Sequence, residues 1–394
     1  NKDRNTEIFV KFRENPDAPV AFYDMVTGKM YKAPEKGENG YYVSLAGAGS
    51  LLIVRGEEAR EAKEECPPCL CSGAVVLRFD KPVASVGDFE CSLREKNLYV
   101  INDVTLKIGG KTDKGCVYHV CARNFASAPE GEPFEAVYEF ESKTEIKDAF
   151  MGLETAENMD EVIFNGEKLS VPKERGELGV LKDDKAWLDP YITKVKLPLI
   201  KKGVNKLVCK GKKKTYINSF PIDYGKMGEF CPTDCEDVYI LGDFSLERAG
   251  EGRFVISEPK PMEGRNITEE GAPFYIGKAE IKGKMTVQKK EDKKYWVKAV
   301  NAKKSSLRLF VNGIDCGVSV LENDLFDVTE ALKDGENVFE WVLATTLYNA
   351  FGPNKAYNGR GNSIDGSLFV LPNFYEDKYN FEDYGIEAMC LYEL

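Results

Sequence analysis

The chain has 394 residues, 43% hydrophobic and 11% aromatic, which suits two to three domains with true cores rather than a disordered segment. Its 65 acidic residues outnumber 54 basic ones for a net charge of −11, which argues against a nucleic-acid partner, since phosphate binding needs positive charge gathered on one face. No apolar run approaches the ~20 residues of a membrane helix, so no membrane partner is expected.

Taken in chain order, residues 5–57 alternate in short strands: Ile8 to Phe12, Val20 to Asp24, Tyr41 to Leu45 and the apolar run Ser50 to Val54. Residues 1–65 therefore read as a small β-sheet domain, closed by a short helix in the Glu/Ala/Lys-rich stretch Glu57 to Glu65. The segment 66–73, with Pro67, Pro68 and Gly73, reads as a linker.

From there one pattern occurs twice. Ile163-Phe164-Asn165-Gly166 matches Phe310-Val311-Asn312-Gly313, and Asp189 with Thr193 matches Asp327 with Thr329. Leu199 to Val208, carrying Lys-x-Gly-x-Asn, matches Leu332 to Trp341. The two Asn-Gly pairs are offset by 147 residues and Asn205/Asn337 by 132, so the copies differ by 15 residues between their halves. Asn-Gly between apolar runs supplies the two positive-φ positions of a type I′ hairpin, and Lys-x-Gly-x-Asn is a tight turn before a strand. A repeat this long is a domain. The expected fold is all-β, with tandem jelly-roll β-sandwiches at 74–247 and 248–394.

Eleven cysteines are present. Cys66, Cys69 and Cys71 with Cys231 and Cys235 look like halves of a zinc ribbon. The single His119 and a separation of about 160 residues argue for no metal and no cofactor. Cysteines in strand-like settings, such as Cys209, Cys316 and Cys390, read as small buried apolar residues, so reduced thiols in a cytoplasmic setting are expected. His119 lies in an alternating strand without a base or nucleophile beside it and reads as structural. Lys210 to Lys214 reads as a solvated turn.

The stretch Val311 to Asn337 resembles the sugar-binding, jelly-roll (galactose-binding-like) domain of family 2 glycoside hydrolases. Thr346 to Asn354 is similar to a segment near the C-terminus of large bacterial enzymes related to family 106 rhamnosidases, with Asn354-Lys355 where those carry His-His, and Val238 to Phe244 matches a strand of the same group. The resemblance implies a non-catalytic C-terminal accessory region of a glycoside hydrolase, with an upstream catalytic domain in the same polypeptide as partner. The start at Asn1 without Met points the same way.

No strand–helix alternation of a (β/α)₈ barrel occurs, and no acidic pair falls in a recognisable catalytic motif, so the chain by itself is expected not to be an enzyme. The alternative is an autonomous carbohydrate-binding or adhesion protein. Carbohydrate recognition uses aromatic faces and Asn, Asp and Arg groups for hydroxyls. Trp341 sits at a core position of an alternating strand, whereas Trp187, in a loop-like setting, is the candidate platform. Asn349, Asn354, Tyr357, Arg360 and Asp365 concentrate hydroxyl-binding groups in a tail expected to fold against the second jelly roll.

Overall fold

A computed structural model describes residues 6–25, 28–33, 40–45, 50–66, 69–70, 74–75, 81–125, 127–154, 156–172, 185–214, 235–250, 252–320, 324–354 and 379–393. The fold is all-β, and the described helices are short, such as Val117–Val120 and Tyr348–Phe351. Strand after strand buries every second side chain. Pro133–Ser142 and Lys278–Val287, 145 residues apart, keep almost the same alternation, as do Gly203–Lys212 and Gly335–Ala344.

The N-terminal strands form two small sheets over Phe22, Tyr31, Tyr41 and Val43, with the Phe22 and Tyr41 rings edge-on at 6.4 Å. The expected short helix is the 3₁₀ turn Glu57–Glu61. The expected linker 66–73 is not wholly a linker. Cys69–Leu70 pairs with Ala74–Val75, which pairs with Tyr41–Leu45, so this segment extends the sheet it was expected to leave.

The two jelly rolls are present, but they are nested rather than tandem. In the second sandwich Lys278–Val287 lies between Glu90–Leu93 and Gly335–Ala344, and Ser306–Val311 with Ile314–Ser319 completes that sheet. The opposing sheet orders Leu325–Asp327, Tyr295–Val300, Ala388–Glu393 and Ala84–Val86. Its core draws on Phe89 and on residues from Ile267 onward.

The first sandwich repeats this order: Asp103–Ile108, Pro133–Ser142, Gly203–Lys212, Glu161–Phe164 and Glu167–Lys168, facing Asn97–Ile101, Val238–Gly242, Phe150–Glu154 and Asp189–Lys196. Its outer sheet then gains the hairpin Ser245–Arg248/Phe254–Ser257, joined by parallel pairing of Glu141 and Ser142 with Val255 and Ile256. The expected boundaries 74–247 and 248–394 are therefore corrected at both ends. The chain lays down two strands of the second sandwich (84–93), builds the whole of the first, and returns. Leu93↔Ala279 pairing and the bond from Arg94 N to Lys278 O (2.9 Å) hold the exit beside the return, and Glu95 accepts from Tyr275 Oη (2.6 Å) and Lys278 N (2.8 Å).

The repeated motif is a side-chain clamp. Asn165/Gly166 have φ of 51° and 88°, and Asn312/Gly313 have 52° and 81°, the left-handed pair that a type I′ turn requires. Asn205 is fully buried; its Oδ1 accepts from Lys201 N (2.9 Å) and Asn165 Nδ2 (2.8 Å), and its Nδ2 donates to the Lys201 carbonyl (2.7 Å). Asn337 makes the same bonds to Lys333 N (2.9 Å), Asn312 Nδ2 (2.8 Å) and the Lys333 carbonyl (2.9 Å). Asn165 Oδ1 and Asn312 Oδ1 in turn accept from Lys206 N and Val338 N. Two asparagines thus satisfy turn amides that have no strand partner. The Asp-Thr elements do not match in this way: Thr329 N donates to Asp327 Oδ1, whereas Thr193 Oγ1 donates to Glu157.

Lys210 to Lys214 is not a solvated turn. Lys210 and Lys212 end the strand Gly203–Lys212, and Lys213 is buried with Nζ donating to the Ala128 carbonyl at 2.6 Å. Of the paired cysteines, Cys71 and Cys231 lie outside the described residues, while Cys235 is buried with Sγ 3.1 Å from Tyr138 Oη. His119 sits in the helix Val117–Val120, not in a strand.

Candidate functional site

Of the sequence-chosen residues, the described ones are Trp187, Asn349 and Asn354, and Trp187 and Asn349 are engaged in packing and hydrogen bonds within the fold. Trp187, on the edge strand Ala186–Trp187, is half-buried, with its ring 5.0 Å from Tyr239 and 6.2 Å from Phe351. It lies on Gly152, where a Cβ would meet Cε3 at 2.9 Å, so a glycine is needed beneath the indole. Asn349 is fully buried; its Nδ2 donates to the Glu382 carbonyl and its Oδ1 accepts from Glu382 N, both at 2.8 Å. That closed pair leaves Asn349 as a loop fastener rather than a hydroxyl ligand. Asn354 is also buried. Tyr357, Arg360 and Asp365 lie outside the described residues. The described tail does not rest on the second sandwich alone: Ala350, Phe351, Tyr379 and Phe381 join the first sandwich's core. Trp341 is buried as its alternating position predicts, edge-on to Phe326 at 5.4 Å, and Trp296 is buried too.

A cleft of about 290 Å³ opens elsewhere, on the outward face of the first sandwich beneath the added hairpin. Along Pro133–Ser142 the odd-numbered side chains point away from the core, so Val137, Glu139 and Glu141 stand in one row about 6.8 Å apart. Thr105 contributes from the neighbouring strand, and Asn102 and Asp103 from the turn ahead of it. Arg253 and Lys114 bring positive charge to the same lining, and Tyr99 and Tyr379 add phenols. Val137 is only 8% exposed although it faces outward, because this part of the sheet is covered.

The walls are fixed from behind. Tyr99 Oη donates to the Phe254 carbonyl at 3.0 Å, and burial pushes its pKa up, so it stays a neutral phenol. Tyr379 is raised for the same reason. The hairpin is tethered by Glu247, bonded to Lys143 and, at 2.6 Å, to Lys260. These two ammonium groups hold its carboxyl down at about 2. Glu139 faces Lys206 at 3.9 Å. The lining therefore offers carboxylates, a guanidinium, an amide and hydroxyls around a small open space, a set able to exchange several directional hydrogen bonds with a hydroxylated ligand.

The sequence signal that could have found this cleft is Val137, one apolar residue in the outward row Glu135, Val137, Glu139 and Glu141 of an otherwise regular strand. An apolar side chain there predicts a covering element.

No family model matches the chain, and no curated protein matches it. Solved structures similar to it include the rhamnosidase from Novosphingobium sp. PP1Y, 13% identical over 78% of this chain and 25% of its own, at a TM-score of 0.27. A GH2 beta-galacturonidase from Eisenbergiella tayi is 11% identical over 67% of this chain and 38% of its own (0.22), and the Streptomyces avermitilis alpha-L-rhamnosidase is 9% identical over 99% and 36% (0.25). The chain spans 25–38% of the length of these three glycoside hydrolases.

Proposed function

We propose that this chain is a non-catalytic β-sandwich region of a glycoside hydrolase that binds carbohydrate in the cleft on its first sandwich and supports a catalytic domain elsewhere in the same polypeptide. The observation that carries the reading is the lining: Asp103, Glu139, Glu141 and Arg253 beside Thr105 and the amide of Asn102 supply the paired donors and acceptors that sugar hydroxyls take. The sequence resemblance at Val311 to Asn337 and Thr346 to Asn354 supports it independently. Among the described residues no helix is long and apolar enough to cross a membrane.

The test is affinity electrophoresis in gels containing rhamnogalacturonan, arabinogalactan, galactan or xyloglucan. The parent should be retarded in at least one gel, and Arg253→Ala and Glu141→Ala should migrate faster there. Retardation in none, or retardation unchanged in both variants, overturns the cleft as a carbohydrate site. A parallel screen on aryl glycosides, α-L-rhamnosides included, checks the non-catalytic half. Turnover that disappears in Glu139→Gln or Glu141→Gln would make the outward carboxylate row a catalytic pair instead. An encoding frame that does not continue into a catalytic barrel would favour an autonomous binding or adhesion protein.

A further inference from the structure

The cleft is walled by the first sandwich and by one residue from a segment that lies between two strands of the second. Tyr379 lies on the excursion between Gly335–Ala344 and Ala388–Glu393, the last two strands of the second sandwich, yet it lines a cleft on the first. Its ring stacks on Phe381 (5.4 Å, 21°) and stands edge-on to Phe274 (5.0 Å, 89°). This packing aims its hydroxyl at the turn between Asn97–Ile101 and Asp103–Ile108. There Oη donates to Asn102 Oδ1 at 2.8 Å, with the Val100 carbonyl at 3.4 Å.

Asn102 is 6% exposed, and its backbone is held because its carbonyl accepts from Val117 N at 2.7 Å. With Oδ1 accepting from Tyr379 Oη, the amide group left over is Nδ2. Among the described residues Nδ2 has no hydrogen-bond partner, and Asn102 lines the cleft. A nearly buried amide whose Nδ2 has no such partner at the cleft wall is free to donate to a ligand there.

We infer that Tyr379 is a positioning residue that fixes the Asn102 amide so that Nδ2 donates to an oxygen of the bound ligand, making the cleft a composite site completed by the segment between the last two strands of the second sandwich. Resting on the carbohydrate reading above, the acceptor is a hydroxyl or ring oxygen of a saccharide. Without the Tyr379 hydroxyl the amide is free to turn, and the ligand then meets an acceptor where it needs a donor.

The experiment uses the full chain and three variants: Tyr379→Phe, Asn102→Ala and the double variant. Tyr379→Phe keeps the ring stack and removes only the hydroxyl. Dissociation constants are measured for oligosaccharides of whichever of the four polysaccharides above retains the parent. Each single variant should weaken binding about tenfold with little change in melting temperature, and the double variant should be no weaker than Asn102→Ala alone. Additive losses, or unchanged binding in Tyr379→Phe, overturn the inference. The Asn102 side-chain NH₂ resonances of the ligand-free protein give an arm independent of any sugar. They should move in Tyr379→Phe, and unmoved resonances overturn the inference. If no polysaccharide retains the parent, the carbohydrate reading falls, and the resonance shift alone decides whether Tyr379 holds Asn102.

Discussion

The two sandwiches share a backbone plan and fill it differently. At equivalent positions of the central strand pair, the first has Tyr138 and Cys209 where the second has Gly283 and Trp341. Bulk has moved from one strand to its neighbour while the volume between the sheets is still filled; at Gly283 the space a Cβ would occupy is taken by Phe89 (2.8 Å) and Met389 (3.0 Å). The Asn clamps, by contrast, keep the same bonds around Asn205 and Asn337, with Asn312 Nδ2 donating in addition to the Ala331 carbonyl at 2.9 Å. Core volume can be redistributed among apolar side chains, but a turn with unpaired amides accepts few substitutes. The outward faces differ as well. The second sandwich's row Glu280, Lys282 and Lys284 is ion-paired to Arg94, Glu340 and Glu336 in solvent, whereas the first carries Val137 under a hairpin beside the cleft.

The sharpest test of the exchange of bulk is Trp341→Ala, which should cost about 3–5 kcal/mol, against about 1 kcal/mol for the equivalent Cys209→Ala, in urea denaturation. Similar losses at both sites would mean that the two cores are not filled in the compensating way described. Next come Asn205→Ala and Asn337→Ala. Each strands the same buried turn groups and should cost about 2–3 kcal/mol. A difference above about 1 kcal/mol would break the equivalence of the clamps, because matching networks should fail alike.

The outward faces can be compared by exchanging their residues. Val137→Lys imports the second sandwich's residue into a covered position and should destabilise by about 1–3 kcal/mol, while Lys282→Val should stay within about 0.5 kcal/mol. A neutral Val137→Lys would show that the hairpin does not cover that position in solution.

The smallest effect concerns the tether. The carboxyl of Glu247 is held at about 2, below its usual 4.5, so its stabilising contribution is complete above pH 4.5 and is lost as pH falls through about 2. Because the group is exposed, salt should weaken the effect. Protection factors in Ser245–Arg248, with exchange corrected for its intrinsic pH dependence, should fall on acidification in the parent and be nearly insensitive to it over that window in Glu247→Gln. An equal response in both would assign the change to another carboxylate.

The residues that carried the clamp were readable in advance because Asn-Gly and Lys-x-Gly-x-Asn are local: positive φ and a side-chain-closed turn are settled within five residues. The packing of Trp187 and Asn349 was not readable for the opposite reason. Their loop-like surroundings gave no sign of Tyr239, Phe351 and Glu382, which reach them from distant segments.

Taken alone, the sequence determined the all-β class, the existence of two related sandwiches and the turns at which they match, since alternation and turn chemistry are short-range properties. The tertiary structure decided the nesting and the cleft. Ala84–Val86 and Glu90–Leu93 are three and four residues long, and they take meaning only from partners nearly two hundred or more residues later. Likewise Tyr379 meets Asn102 only because the returning chain crosses the sandwich it had enclosed. Such pairings depend on which surfaces are buried together, a property of the assembled sheets rather than of any stretch of chain.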